Sequence, residues 1–208
     1  MPALRWLAKI ARIAITLEIG VWRSLWRLIS RRPNIPTGAQ PFGYTKPILS
    51  IMIIFIVLSA IEIPIVDLIV HQWPTVRIIA LILGIWGVTF MIGFLAAMLT
   101  NPHAVSEQAL HIRHGAGLDI RIDWDDIESI HSVRSGLAES KTVQLTDTAS
   151  GTALHVAIQS ETNVDVRLRH PVTVTLPKGE ATITEAHFRA DDPDTLVSSA
   201  RARLSSNV

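Results

Sequence analysis

The sequence predicts a membrane α-helical hairpin joined to an α+β domain, an antiparallel β-roll of about eight short strands capped by a C-terminal helix. Three observations carry this reading. Two apolar runs occupy 48–70 and 76–100 with only five residues between them; apolar residues alternate with period two through much of 109–188; and a helix signature fills 193–205. Each apolar run exceeds the about 20 residues that a helix needs to cross a bilayer core.

Charge is distributed asymmetrically. Residues 1–47 hold eight Lys/Arg against one acid, and residues 101–208 hold ten against fifteen, so a chain of formal net charge +1 is a dipole of +7 and −5. Cationic flanks stay on the cytoplasmic side, so both termini are expected there, in a multi-pass protein of the cytoplasmic membrane. Basic residues recur throughout 1–30 and no apolar run ends in a small-residue cleavage pattern, so this segment is not expected to be a signal peptide. The absence of cysteine excludes disulfides, thiolate metal sites and cysteine nucleophiles.

At 100° per residue, Arg5, Lys9, Arg12, Arg23 and Arg27 fall on one narrow stripe of a helix over 1–30, and the rest of its circumference is mostly apolar, including Trp6, Trp22 and Trp26. Such a helix is expected to rest at the headgroup boundary, its stripe facing anionic lipid. Packing of its apolar face on the spans or on another subunit is the alternative, and Glu18, on the apolar side, has no evident role. Residues 31–47 contain four prolines and two glycines and read as a linker, with Phe42 and Tyr44 anchored at the interface.

The first span carries Glu62, Pro64 and Asp67, with His71 just beyond it and Arg77 at the start of the second. Intramembrane ionisable groups are functional candidates. Glu62, Asp67 and His71 would make a proton-sensitive site, whereas an Asp67–Arg77 pair would be an outer polar cap, the preferred reading. Pro64 removes a backbone donor and predicts a kink. In the second span Ala80, Gly84, Gly87, Gly93 and Ala97 permit close helix approach, against the first span or in a homo-oligomer.

Beyond Pro102 the period becomes two. Leu110 and Ile112 oppose His111 and Arg113; Leu118, Ile120, Ile122 and Trp124 oppose Asp119, Arg121 and Asp123; and Gly115 and Gly117 supply a turn. Further alternation appears at 143–145, 154–158, 164–168, 172–176 and 183–188. Asp192 is placed to cap a final helix that begins at Pro193 and buries Leu196, Val197, Ala200 and Leu204. The segment VSEQALHIRHGAGLDIRIDWDDIESIHSV, with Ile122, Trp124, Asp126, Ile127 and Ile130 in an IxWxDIxxI pattern, resembles the opening of bacterial pleckstrin-homology-like domains. The resemblance is specific over about 30 residues. It implies a strongly bent antiparallel sheet closed by the terminal helix and used for binding, often after a pair of membrane helices. A basic cluster for an inositol phosphate is not visible at the first hairpin turn.

His103, His111, His114, His131, His155, His170 and His187 lack HxH or HExxH spacing, and no calcium loop, GxSxG or phosphate-cradling glycine loop occurs. An enzyme, a metal site, a cofactor and a nucleic-acid partner are therefore not expected; a hydrolase built on the histidines and carboxylates is a distant third reading. The expected role is a membrane scaffold or accessory subunit whose residues 101–208 dock a protein, with anionic lipid as a second partner. The runner-up is an oligomeric channel or transporter component using Glu62 and Asp67.

Overall fold

A computed structural model describes residues 18–177 and 179–206. Helix α1 covers 18–29 of the described residues. It ends in a Schellman motif, in which Arg32 N donates to Arg27 O (2.9 Å) and Arg31 N to Leu28 O (3.2 Å). Arg31 occupies the left-handed position, φ 51°, that glycine usually takes, and Pro33 bars continuation. Strand β1 (Gln40–Phe42) follows, then the long helices α2 (Lys46–Ile69) and α3 (Pro74–Thr100). Both are long and apolar enough to cross a membrane, with almost nothing of their apolar windows buried inside the protein. Helix α2 runs through Pro64 as one helix.

The remaining chain forms β2 (His103–Val105), β3 (Ala109–His114), β4 (Leu118–Asp123), a 3-10 turn over Trp124–Asp126, β5 (Ile127–Gly136), β6 (Val143–Thr148), β7 (Gly151–Val156), β8 (Glu161–Leu176), β9 (Gly179–Phe188) and α4 (Pro193–Ser206). The described strands make two sheets, ordered β1-β2-β3-β4 and β5-β8-β9-β7-β6. One core is drawn from both. Ile112, Ile122 and Trp124 meet Ile130, Leu154, Val166, Ile183 and Phe188, and α4 adds Leu196, Val197 and Ala200. The Trp124 indole, 2% exposed, satisfies its single donor on Ser106 O at 3.1 Å. Asp192 accepts from Thr195 N (3.2 Å) at the start of α4.

Several expectations need correction. The sheets are not closed into a roll, and the β7–β9 pair is parallel. The alternating runs at 164–168 and 172–176 belong to one strand, β8, whose register against β9 is interrupted between Arg167 and Val172. That break accommodates Pro171, which has no N–H for a regular ladder. The segment 31–47 is more than a linker: β1 pairs with β2 in the register Gln40↔Val105, Pro41↔Ala104, Phe42↔His103. The strands immediately before α2 and after α3 are thus neighbours, and the whole helical hairpin is an insertion between them. Phe42 belongs to the domain core and Tyr44 is 1% exposed, so neither sits at a lipid interface.

The corner between β1 and α2 is held from the far end of the chain. Thr45 provides no side-chain cap for α2. The carboxylate of Asp191 instead accepts from Thr45 N (3.1 Å) and Lys46 N (2.9 Å), while Asp191 N donates to Gly43 O (2.8 Å). An anion there satisfies two orphan donors and complements the helix dipole. A Cβ on residue 43 would lie 2.7 Å from Asp191 Oδ2, which explains a glycine at this bend. Asp191→Ala should cost about 2 kcal/mol, within the range of lost caps and dipole partners, and Asp191→Asn roughly half as much. Thermal unfolding of the full chain in detergent checks this, and an Asp191→Ala melt equal to wild type would contradict it.

Candidate functional site

The foot of the hairpin, where α1, the end of α3 and the β3–β4 turn meet, gathers a group of polar side chains. Its centre is Tyr44, between the rings of His103 (4.9 Å) and His114 (5.5 Å), with its hydroxyl accepting from Gly115 N at 2.8 Å. Burial raises the Tyr44 phenol above its ordinary range, so it stays neutral. His103 Nδ1 accepts from Arg113 N (3.0 Å), so Nε2 carries the proton and donates to Arg189 O (2.9 Å). Burial pushes the His103 pKa down to about 4.

Beyond Gly115, which Tyr44 contacts, lies a cavity of about 230 Å³ whose walls include Arg23 and Arg27 of α1, Asn34, Asn101, Arg113, Gly115 and Asp119. Arg113 is 5% exposed; its Nε lies 3.0 Å from Asp119 Oδ1, and its Nη1 donates to Asn34 O. Burial disfavours the Asp119 anion, but hydrogen bonds from His111 and Arg113 outweigh it and hold the carboxyl below its usual range. The Asn101 side-chain oxygen accepts from Asn34 Nδ2 (3.0 Å) and, at 3.5 Å, from Arg27 Nη1. Arg23 forms no hydrogen bond or ion pair among the described residues.

Helix α1 reaches this site by packing. Gly93 of α3 faces Val21 so closely that a Cβ on residue 93 would overlap its side chain, and a Cβ on Gly20 would lie 2.8 Å from the Ala116 side chain. Trp86 Nε1 donates to Glu18 Oε1 at 3.3 Å, which gives Glu18 its role. With Glu18 at Trp86, Val21 at Gly93 and Arg27 at Asn101, α1 runs alongside the C-terminal half of α3 in the same direction. Over 18–29 α1 therefore packs on α3, as in the packing alternative. Ile19, Trp22, Trp26 and Ile29 form its exposed stripe, Trp26 at 70%. Arg5, Lys9 and Arg12 lie outside the described residues.

The small residues of α3 have divided roles. Gly84 meets Ile63 of α2, Gly93 serves α1, Ala97 is buried, and Gly87 has nothing within 4 Å of where a Cβ would be. A groove of about 360 Å³ between α2 and α3 is lined by Glu62, Asp67 and Ala80. Asp67 takes two hydrogen bonds from Arg77, 2.6 and 2.9 Å, while His71 Nδ1 lies 2.7 Å from Leu68 O. Glu62 has no such partner among the described residues.

On the outer face of the five-stranded sheet, His155, His187, Asp165 and His131 stand opposite one another in one row across β7, β9, β8 and β5. His155 and His187 stack at 4.7 Å, and His187 Nδ1 lies 2.7 Å from Asp165 Oδ1. Burial disfavours the His187 cation, but Asp165 and Glu185 outweigh it and raise its pKa; burial and the His187 charge lower that of His155.

No protein-family model, curated protein or solved structure matches this chain. Sequence reasoning found Arg23 and Arg27 but missed Asn34, Asn101 and Arg113 as their neighbours. The only available signal was the pair of asparagines flanking the hairpin, at 34 and 101.

Two outcomes follow from this geometry. Gly93→Leu should displace α1 while Gly87→Leu leaves it seated; a Glu18→Cys/Trp86→Cys pair reads this directly, and equal crosslinking in both backgrounds would refute the packing. The second concerns pH. A histidine at about 4 when folded and about 6.5 when unfolded stabilises fully above pH 6.5 and loses that contribution as pH falls towards 4, by about 3 kcal/mol. His114 and His155, also lowered, act in the same direction, and His187, raised, acts oppositely. The wild-type melting temperature should therefore fall more steeply between pH 6.5 and 4 than that of His103→Asn; parallel slopes would contradict the assignment.

Proposed function

We propose that this chain is a multi-pass protein of the cytoplasmic membrane, with both termini on the cytosolic side. Its pleckstrin-homology-like domain acts as a non-enzymatic scaffold or accessory subunit for another protein. The observation that carries this reading is the rigid foot of the hairpin: β1 and β2 pair across the two helix ends, and Asp191 caps α2. A domain on a flexible tether needs no such contacts, whereas one that presents a surface at a fixed height and orientation does. The terminal helix packed on the common core is consistent with the pleckstrin-homology-like resemblance, and the parallel β7–β9 pair departs from it.

Strand β6 suits protein docking. It is a sheet edge, and beside it a groove of about 790 Å³ is lined by Leu137, Val143, Leu145, Leu176 and Pro177, with Leu145 46% exposed. An open edge flanked by apolar pockets accepts an added strand. A photo-crosslinker at Val143, which lines the same groove, should capture one protein in stoichiometric amount in intact cells, and Leu145→Arg in that background should abolish capture. Self-crosslinks alone, through the hairpin, would reject the scaffold.

The second reading, an oligomeric channel or transporter component, is supported by the unpartnered Glu62 in the α2–α3 groove. An intramembrane carboxylate is costly unless a neighbour or water compensates it. Glu62→Gln that assembles normally but abolishes ion or solute flux in proteoliposomes would favour this reading, and unchanged behaviour would remove it.

A further inference from the structure

We infer that the arginine-lined cavity at the foot of the hairpin binds the phosphate group of an anionic ligand; the inference rests on the membrane-hairpin reading only for the ligand's route of entry. Three guanidinium groups, Arg23, Arg27 and Arg113, face one carboxylate, Asp119, and that carboxylate is engaged by Arg113. Arg23 has no partner among the described residues, and Arg27 has only a 3.5 Å bond to Asn101. Two cations therefore line one space with no carboxylate of their own among the described residues. Arg23 is exposed and Arg27 half-buried, so water screens part of their repulsion, and an anion that joins them removes the rest.

The donors suit a phosphate. Guanidinium forks recognise phosphate oxygens with two parallel N–H bonds, more specifically than lysine would. The site is also built and held. Arg113 is fixed by Asp119 and by the Asn34 carbonyl, Asn101 is anchored through Nδ2 on Ala97 O (2.7 Å), and α1 is locked by the Gly93–Val21 approach. At about 230 Å³ the cavity is below the roughly 300 Å³ at which drug-sized pockets begin, so it takes a headgroup and not a whole amphiphile. On the same helix, Trp22 and Trp26 immediately precede the two arginines and are exposed, which places an apolar, aromatic surface beside the polar one. This neighbour favours a phospholipid, with its phosphate in the cavity and its chains along α1. A free phosphate would share the arginines and ignore the tryptophans.

The test uses the full chain in a neutral detergent, followed by tryptophan fluorescence. The titrants are short-chain phosphatidylglycerol, short-chain phosphatidylcholine and inorganic phosphate. Saturable binding of phosphatidylglycerol at least about tenfold tighter than phosphatidylcholine is expected, weakening with salt. Arg23→Gln/Arg27→Gln should weaken it at least about tenfold, and Arg23→Lys/Arg27→Lys should restore part of it. Arg121→Gln/Arg167→Gln, which removes two charges elsewhere, should leave it unchanged. Displacement of phosphatidylglycerol by millimolar inorganic phosphate would support the phosphate site and assign it to a free anion; resistance to displacement would support it and assign it to lipid. Equal affinity for both lipids together with no phosphate binding would overturn the site, as would a glutamine double variant that binds like wild type while melting like wild type. Retention of the chain in carbonate-washed membranes reads the hairpin independently, so failure of the pocket and failure of the membrane reading are distinguishable.

Discussion

A helix leaves backbone N–H groups at its start that its own first turn cannot satisfy, and at α2 the carboxylate supplying their partners comes from the opposite end of the chain. Asp191 closes on Thr45 N and Lys46 N and returns its own N–H to Gly43 O. That contact fixes where α2 leaves the domain. The β1–β2 ladder then places the return of α3 beside the start of α2, through three register pairs. Next to this closure Tyr44 is buried between two histidines, and Arg113 is tied to the Asn34 carbonyl in the segment between α1 and β1.

The energetic logic is that of a buried polar junction. His103, Tyr44, Asn101 and Arg113 would each be expensive to remove from water alone. Each has a partner, several from distant parts of the chain: Arg189 and Arg113 for His103, Gly115 for Tyr44, Asn34 for Asn101, and Asn34 and Asp119 for Arg113. Such a network adds little net stability beyond an apolar core of equal volume, but it selects one arrangement, because any displacement leaves groups unpaired. The result is one orientation between hairpin and domain.

What could be read from the sequence follows from how local the signals are. The two long helices are legible because their length and hydropathy are properties of contiguous residues, and the same holds for the alternating β3–β4 segment and for the capped start of α4 at Asp192 and Pro193. Strand β1 was hidden because Pro41 and Gly43 carry turn signals, and only pairing with residues more than 60 positions away makes 40–42 a strand. The Asp191 cap, the parallel β7–β9 pair and the meeting of Arg23 and Arg27 with Arg113 are long-range in the same sense. Glu18 looked anomalous because its partner, Trp86, stands on another helix, and Gly93 and Gly84 look alike in sequence although one accommodates α1 and the other α2.

The central claim is that the domain is continuous across the hairpin, with residues before α2 paired to residues after α3. Disulfide formation between Pro41→Cys and Ala104→Cys in the native membrane tests it most directly, since the two positions are register partners and the chain has no other cysteine. Efficient crosslinking under mild oxidation is the predicted result. Two folded single-cysteine variants whose combination does not crosslink would show that 31–47 is a free linker, and the account of a rigid foot would be wrong.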